Sequence, residues 1–198
     1  MRTLFPVNVH EIDVKNFKII KDDVIKFIYQ ERKKSDGVQR SNQGGWQSLP
    51  TYADSDNILA DTVRESLDSY CATTPIFKEK VKIRINSLWI NINKKNDSNV
   101  EHLHPASHLS GVWWIKIPKN SGALWFSSPH WFNQYHEIFC YSDSYKENTN
   151  TYLNYYLDPR EGGMVIFPSS LSHSVGVSET NEDRISVSFN IDLDVSSL

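Results

Sequence analysis

The sequence predicts a mainly β fold of the jelly-roll or cupin-like kind, with about two helices from the amino-terminal part packed on the sheet. Three observations predict it. About eight short β-rich runs follow one another from residue 81 to residue 193, punctuated by Gly, Pro, Asn and Ser. Two segments ahead of them carry apolar residues at helical spacing. A length of 198 residues with 39% hydrophobic and 12% aromatic content is enough for one domain with a full core.

The elements follow in chain order. From Asp22 to Lys34 the residues Val24, Ile25, Phe27 and Ile28 recur at helix-like spacing, and Gly37 supplies a stop. A second helix fits Asp56 to Tyr70, with Ile58, Leu59, Val63, Leu67 and Tyr70 on one face, Ser55 or Asp56 as N-cap and Pro75 beyond its end. Trp46-Gln47-Ser48 between them is expected to lie outside the barrel strands and to order a loop closing over the sheet. The strands are expected at 81–93, 109–117, 123–127, 136–141, 151–157, 163–168, 173–178 and 184–193. The stretch 93–99 reads as a polar loop at the rim of a site, and Gly162-Gly163 as a turn. A helical front of about 1–80 and a β core of about 81–195 thus form a single domain, 1–198.

Composition narrows the function classes. A net charge of -3 and a pI near 6.2 leave no large basic footprint, so nucleic acid is not expected as an obligatory partner. Mean hydropathy is -0.49 and no long apolar run occurs, so no membrane span is expected. The first residues lack the pattern of a secretory signal. Cys71 and Cys140 are too few and too far apart for a disulfide framework or a cysteine zinc site, and a reducing cytoplasm is the expected compartment.

The chemistry concentrates in His102-Leu103-His104, His173 and Arg184-Ile185-Ser186. Alternate residues of an extended segment point the same way, so His102 and His104 can face one metal, with His173 supplied by another strand. On 184–193, alternation puts Arg184, Ser186, Ser188 and Asn190 on one face and Ile185, Val187, Phe189 and Ile191 in the core. A guanidinium and a hydroxyl inside a barrel are costly unless they meet an anion, and the planar fork suits a carboxylate. Trp89 and Asn91 share a face ahead of the polar loop and are candidate pocket residues, as are Trp114 and Asn190. Glu101 should point away from the face of His102 and His104. His10, His130 and His136 read as surface or core histidines, and His108 is a weak candidate. Tyr145, Tyr152, Tyr155 and Tyr156 read as packing residues before they read as a substrate surface.

These landmarks carry a resemblance. Gly45-Trp46-Gln47-Ser48, His102-x-His104-Pro105 with Leu109-Ser110-Gly111-Val112-Trp113-Trp114, Phe167-Pro168-Ser169 with His173, and Arg184-Ile185-Ser186-Val187-Ser188-Phe189-Asn190 resemble the 2-oxoglutarate/Fe(II)-dependent oxygenases, in particular the 2OG-Fe(II) oxygenase group of bacteria and phages. They span roughly residues 45–190. The resemblance implies a double-stranded β-helix, Fe(II), 2-oxoglutarate and O2 as cofactors, His102 and His173 as metal ligands, Arg184 as partner of the distal carboxylate of 2-oxoglutarate and Ser186 as its helper. It implies oxidative decarboxylation to succinate and carbon dioxide, coupled to hydroxylation of a substrate. The usual carboxylate ligand is replaced by His104, which either binds the metal or lines the site beside a water; the ligand reading is preferred. The substrate, a small molecule or a peptide, and the oligomeric state are not legible. Two other classes compete: a three-His cupin-type iron dioxygenase that uses no 2-oxoglutarate, and a non-catalytic jelly-roll binding or structural module.

Overall fold

Two antiparallel sheets enclose a cavity in the structure, a computed structural model that describes residues 4–52, 55–77, 81–130 and 137–194. The larger sheet is built from β1 (His10–Asp13), β3 (Trp46–Gln47), β4 (Thr51–Tyr52), β5 (Lys82–Asn93), β7 (Leu109–Lys116), β10 (Gly163–Pro168) and β12 (Arg184–Asp194). Its order is β1-β10-β7-β12-β5-β3, with β4 also paired to β5. The smaller sheet comprises β2 (Asn42–Gln43), β6 (Ser98–His102), β8 (Leu124–Ser127), β9 (Asn154–Leu157) and β11 (His173–Val175), in the order β2-β6-β11-β8-β9.

Two long helices, α1 (Phe17–Arg32) and α2 (Ile58–Thr73), cover the outer face of the larger sheet. Val24 and Ile28 of α1 and Leu59, Val63 and Leu67 of α2 are buried with Ile185, Val187, Phe189 and Ile191 of β12. Each such side chain contributes about 1.5–3 kcal/mol of burial. A second apolar cluster lies between the sheets, where Val112 and Trp114 of β7 and Val165 and Phe167 of β10 meet Leu124 and Phe126 of β8. The odd and even positions of β12 therefore serve different layers, as its alternation predicts: the apolar set seals the helix side, and Arg184, Ser186 and Ser188 of the polar set face the cavity.

Several elements differ from expectation. Helix α1 begins at Phe17, five residues before Asp22, behind Asn16 in a left-handed conformation (φ 59°). The N-cap of α2 is Asn57, whose side chain accepts from Leu59 N at 3.0 Å and Ala60 N at 3.1 Å. Within 136–141 the described residues form a helical turn, α3 (Glu137–Cys140), and α4 (Asp143–Thr149) follows. Ile138 is buried while Phe139, Cys140 and Tyr141 in succession are exposed, so the run lacks the alternating buried set a sheet would demand. Strand 151–157 contracts to β9, and 173–178 to β11. Trp46-Gln47 is not outside the strands: it is edge strand β3, with Trp46 opposite Ile92 and Gln47 opposite Asn91. Trp46 donates its Nε1–H to Ser35 O at 3.0 Å, and its ring joins the helix-side core.

Candidate metal centre

Three imidazoles converge on one point. His102 ends β6 and His173 opens β11, directly opposite each other across the antiparallel pair, while His104 follows β6 by two residues. The ligand atoms of His102, His104 and His173 lie within 4.8 Å of one another, and no other such cluster of potential ligands occurs among the described residues.

Local backbone fixes two of the three rings. His102 Nδ1 is 2.7 Å from Val100 O, and His173 Nδ1 is 2.9 Å from Leu171 O. A carbonyl oxygen can only accept, so each Nδ1 carries the proton and each Nε2 offers its lone pair. Ring contacts position His104 instead: Trp89 at 5.5 Å, His102 at 5.0 Å and His173 at 5.2 Å between centroids. Burial holds the pKa of all three rings below the usual histidine value, at about 4 for His104 and His173. The neutral form that ligates a metal is thus the form present near neutral pH.

The polar side of β12, on the other sheet, lines the same cavity through Arg184, Ser186 and Ser188. Arg184 lies opposite Asn93, Ser186 opposite Asn91 and Trp114, Ser188 opposite Trp89, and Asn190 opposite Ser110. Arg184 is 2% exposed and donates from one Nη to Ser186 Oγ at 3.3 Å, while its Nε and other Nη have no hydrogen-bond partner. Burial alone draws its pKa down to about 10, so the guanidinium stays charged. Asn91 donates to Ser188 Oγ at 3.0 Å, and its Oδ1 is buried without a partner. Guanidinium, hydroxyl, amides and imidazoles all line one cavity, a combination able to hold a divalent metal and an anion together.

Most sequence-predicted residues lie together. His102, His104, His173, Arg184, Ser186, Trp89 and Asn91 line this cavity. Trp114 and Asn190 do not: Trp114 is 1% exposed in the core between the sheets, and Asn190 accepts from Ser110 Oγ at 2.9 Å and donates to Ser87 Oγ at 3.3 Å. Glu101 turns outward, accepting from Ser172 Oγ at 2.8 Å. His10 contacts Tyr70 Oη, and His108 Nδ1 accepts from Leu193 N. His130 and the exposed Tyr145, Tyr155 and Tyr156 are not cavity residues, and His136 lies outside the described residues. Sequence reasoning missed Ser110, two residues before Val112 and four before Trp114 on one face of β7, which even spacing could have found. It also missed Asn99 and Ser41, linked by an Asn99 Nδ2 to Ser41 Oγ bond of 3.2 Å.

Comparison with known proteins adds two findings. A family model described as "Putative 2OG-Fe(II) oxygenase" matches residues 87–190, just over half of the chain and inclusive of every histidine of the cluster, Arg184 and Ser186. No curated protein matches the sequence. Among solved structures, the fold is similar to a Pseudomonas putida prolyl-4-hydroxylase (TM-score 0.59, 10% identity, 93% of this chain and 92% of that chain covered). It is similar to the viral collagen prolyl hydroxylase of Paramecium Bursaria Chlorella virus-1 solved with 2OG (TM-score 0.56, 14% identity, 94% and 96% covered). It is also similar to SnoK, a non-heme alpha ketoglutarate dependent carbocyclase from nogalamycin biosynthesis (TM-score 0.66, 8% identity, 95% and 80% covered). The architecture shared with these proteins is the two-sheet jelly roll that the strand pattern predicts.

Proposed function

We propose, given that this chain belongs to the 2OG-Fe(II) oxygenase family, that it hydroxylates a small molecule or a peptide, holding iron with His102, His104 and His173 and 2-oxoglutarate with Arg184 and Ser186. As a member of that family it is an oxidoreductase with Fe(II), 2-oxoglutarate and O2 as cofactors.

The observation that carries the residue assignment is the Arg184 guanidinium, buried, charged and with two donor nitrogens unpartnered in the same cavity as three clustered imidazoles. Such a group costs stability unless an anion completes its hydrogen bonds, and the bidentate fork matches a carboxylate. The residues therefore fit both groups: neutral nitrogen donors for a divalent metal, and an unsatisfied cation for a dicarboxylate.

When bound, the iron supplies the redox chemistry that converts 2-oxoglutarate and O2 to succinate and carbon dioxide and oxidises a C–H bond. The protein's own share is positional. Val100 O and Leu171 O hold His102 and His173 with Nε2 toward the centre, and Trp89 walls the side of His104. Arg184 and Ser186 fix the far carboxylate, which sets how the keto acid end meets the metal. The proposed compartment is the reducing cytoplasm, in keeping with two free cysteines, Cys71 and Cys140; no described helix is long and apolar enough to cross a membrane.

Anaerobic calorimetry with Mn(II) and then 2-oxoglutarate tests the assignment. Arg184→Ala should weaken 2-oxoglutarate by about 30-fold or more, the cost of truncating one member of a buried charged pair, and leave Mn(II) stoichiometry unchanged. His173→Ala should lose the metal. Equal loss of both ligands in Arg184→Ala would count against the roles assigned.

A further inference from the structure

Among the described residues, no acid lines the cavity. Those that do line it offer imidazoles, hydroxyls, the amides of Asn91 and Asn99 and apolar groups, and the one charged side chain among them is Arg184. The carboxylates nearest in sequence are committed elsewhere. Glu101 accepts from Ser172 Oγ at 2.8 Å, Asp97 accepts from Lys94 N at 2.7 Å, and Asp183 accepts from Tyr29 Oη at 2.6 Å with Lys94 Nζ at 3.6 Å. None of them lines the cavity.

Charge bookkeeping then has a definite sign. A divalent metal on three neutral imidazoles brings two positive charges and Arg184 a third, whereas 2-oxoglutarate brings two negative ones. One positive charge is left over in a largely buried space, where a site with a carboxylate in place of His104 would be neutral. Low-dielectric surroundings make such an imbalance far costlier than it is in water, and an anion removes it.

We infer that this chain's metal site accepts, in addition to 2-oxoglutarate, one monoanion beside the metal, supplied either as a free halide or as an acidic group of the primary substrate. The inference rests on the proposed ligand set, His104 included. It makes His104 a determinant of specificity: the residue that leaves the carboxylate's charge to be provided from outside. A substrate presenting a carboxylate is thereby favoured over its amide, and the preference resides in the site's net charge without requiring a basic side chain near the substrate.

The test uses the Fe(II) protein saturated with 2-oxoglutarate under argon in a chloride-free buffer. Chloride, N-acetylglycine and N-acetylglycinamide are titrated by calorimetry, and retained 2-oxoglutarate is measured after each titration. Chloride, N-acetylglycine or both should bind with 2-oxoglutarate still in place, and N-acetylglycine should bind about ten-fold or more tightly than its amide where the acid is the occupant, the scale of one close opposite charge. Chloride binding with acid and amide alike assigns the position to a free ion; the acid preference without chloride binding assigns it to a substrate group. His104→Asp should abolish the anion preference while Fe(II) and 2-oxoglutarate still bind. Absence of any anion preference in the unaltered protein overturns the inference, as does an anion that enters only as 2-oxoglutarate leaves. A protein that takes up no Fe(II) or no 2-oxoglutarate before any probe is added overturns the proposed function as well, so the two failures are distinguishable.

Discussion

Arg184 is unusual among the buried residues because its proposed function and its contribution to stability oppose each other. A guanidinium 2% exposed with two unpartnered nitrogens destabilises the ligand-free fold. Arg184→Met, of similar volume and uncharged, should raise the urea-unfolding free energy of the ligand-free protein by about 1–3 kcal/mol while abolishing 2-oxoglutarate binding. His104 invites a second prediction, since ring packing against Trp89 does for it what backbone carbonyls do for His102 and His173. Trp89→Leu should weaken metal binding roughly ten-fold, as loss of an outer support does, and a competition titration with a metal chelator will measure it. Much at this scale was legible, because alternation along 184–190 and the even spacing of His102 and His104 assign side chains to faces without reference to tertiary structure. Asn99 was illegible for the complementary reason. It is three residues from His102, an odd spacing, and the register shift between β6 and β11 brings both to one cavity.

At the scale of elements, the sheets are held where side chains leave no slack. Gly111 of β7 pairs with Phe189 of β12, and a Cβ there would lie 2.3 Å from the Phe189 ring and 2.7 Å from Val165 O. Gly111→Ala should destabilise the protein by about 1–3 kcal/mol in urea unfolding, because a backbone oxygen of β10 cannot yield as a side chain can. Helix α1 is tied to the start of β12 by Tyr29, whose hydroxyl donates to Asp183 at 2.6 Å. Burial, together with the bond to Asp183 and its negative charge, pushes the Tyr29 pKa up to about 12. Its folded pKa exceeds the unfolded value near 10, so its contribution is fully present below pH 10 and is lost as pH rises toward 12. Tyr29→Phe should therefore flatten the alkaline fall in stability, measured as unfolding midpoints against the unaltered protein from pH 9 to about 12. The long strands and both long helices were visible from periodicity, whereas two-residue strands such as β2 and β3 carry no period of their own and exist only through their partners β6 and β5. The segment giving α3 misled because apolar β-formers occurred without a neighbouring strand to pair with.

For the whole molecule, the two bound groups and the fold are thermodynamically linked. Metal and 2-oxoglutarate both bind the folded chain alone, so at 100 times its dissociation constant each adds about 2.7 kcal/mol. For a chain of 198 residues that corresponds to a rise in Tm of about 5–10 °C per ligand. Thermal scans under argon should show Mn(II) with 2-oxoglutarate stabilising more than either alone, with 2-oxoglutarate contributing little when the metal is omitted. The sign follows from the charges: a divalent cation on the proposed ligands and the Arg184 guanidinium of the same cavity would both favour the dianion.

The proposed anchor and the proposed metal ligands sit on strands of different standing. Arg184 opens β12, which is hydrogen-bonded along its length to β5 and also to β7, whereas His102 and His173 meet on short strands of the smaller sheet with a register shift between them. Amide hydrogen exchange should register this difference as a sequence of events in time. The central strand will retain its deuterium-resistant protons whether or not ligands are present, while those of β6 and β11 will be slowed chiefly by the metal that links them. As the protein ages or is warmed, iron should therefore escape from a chain whose cosubstrate seat is still intact, and activity lost in this way should return when Fe(II) is resupplied.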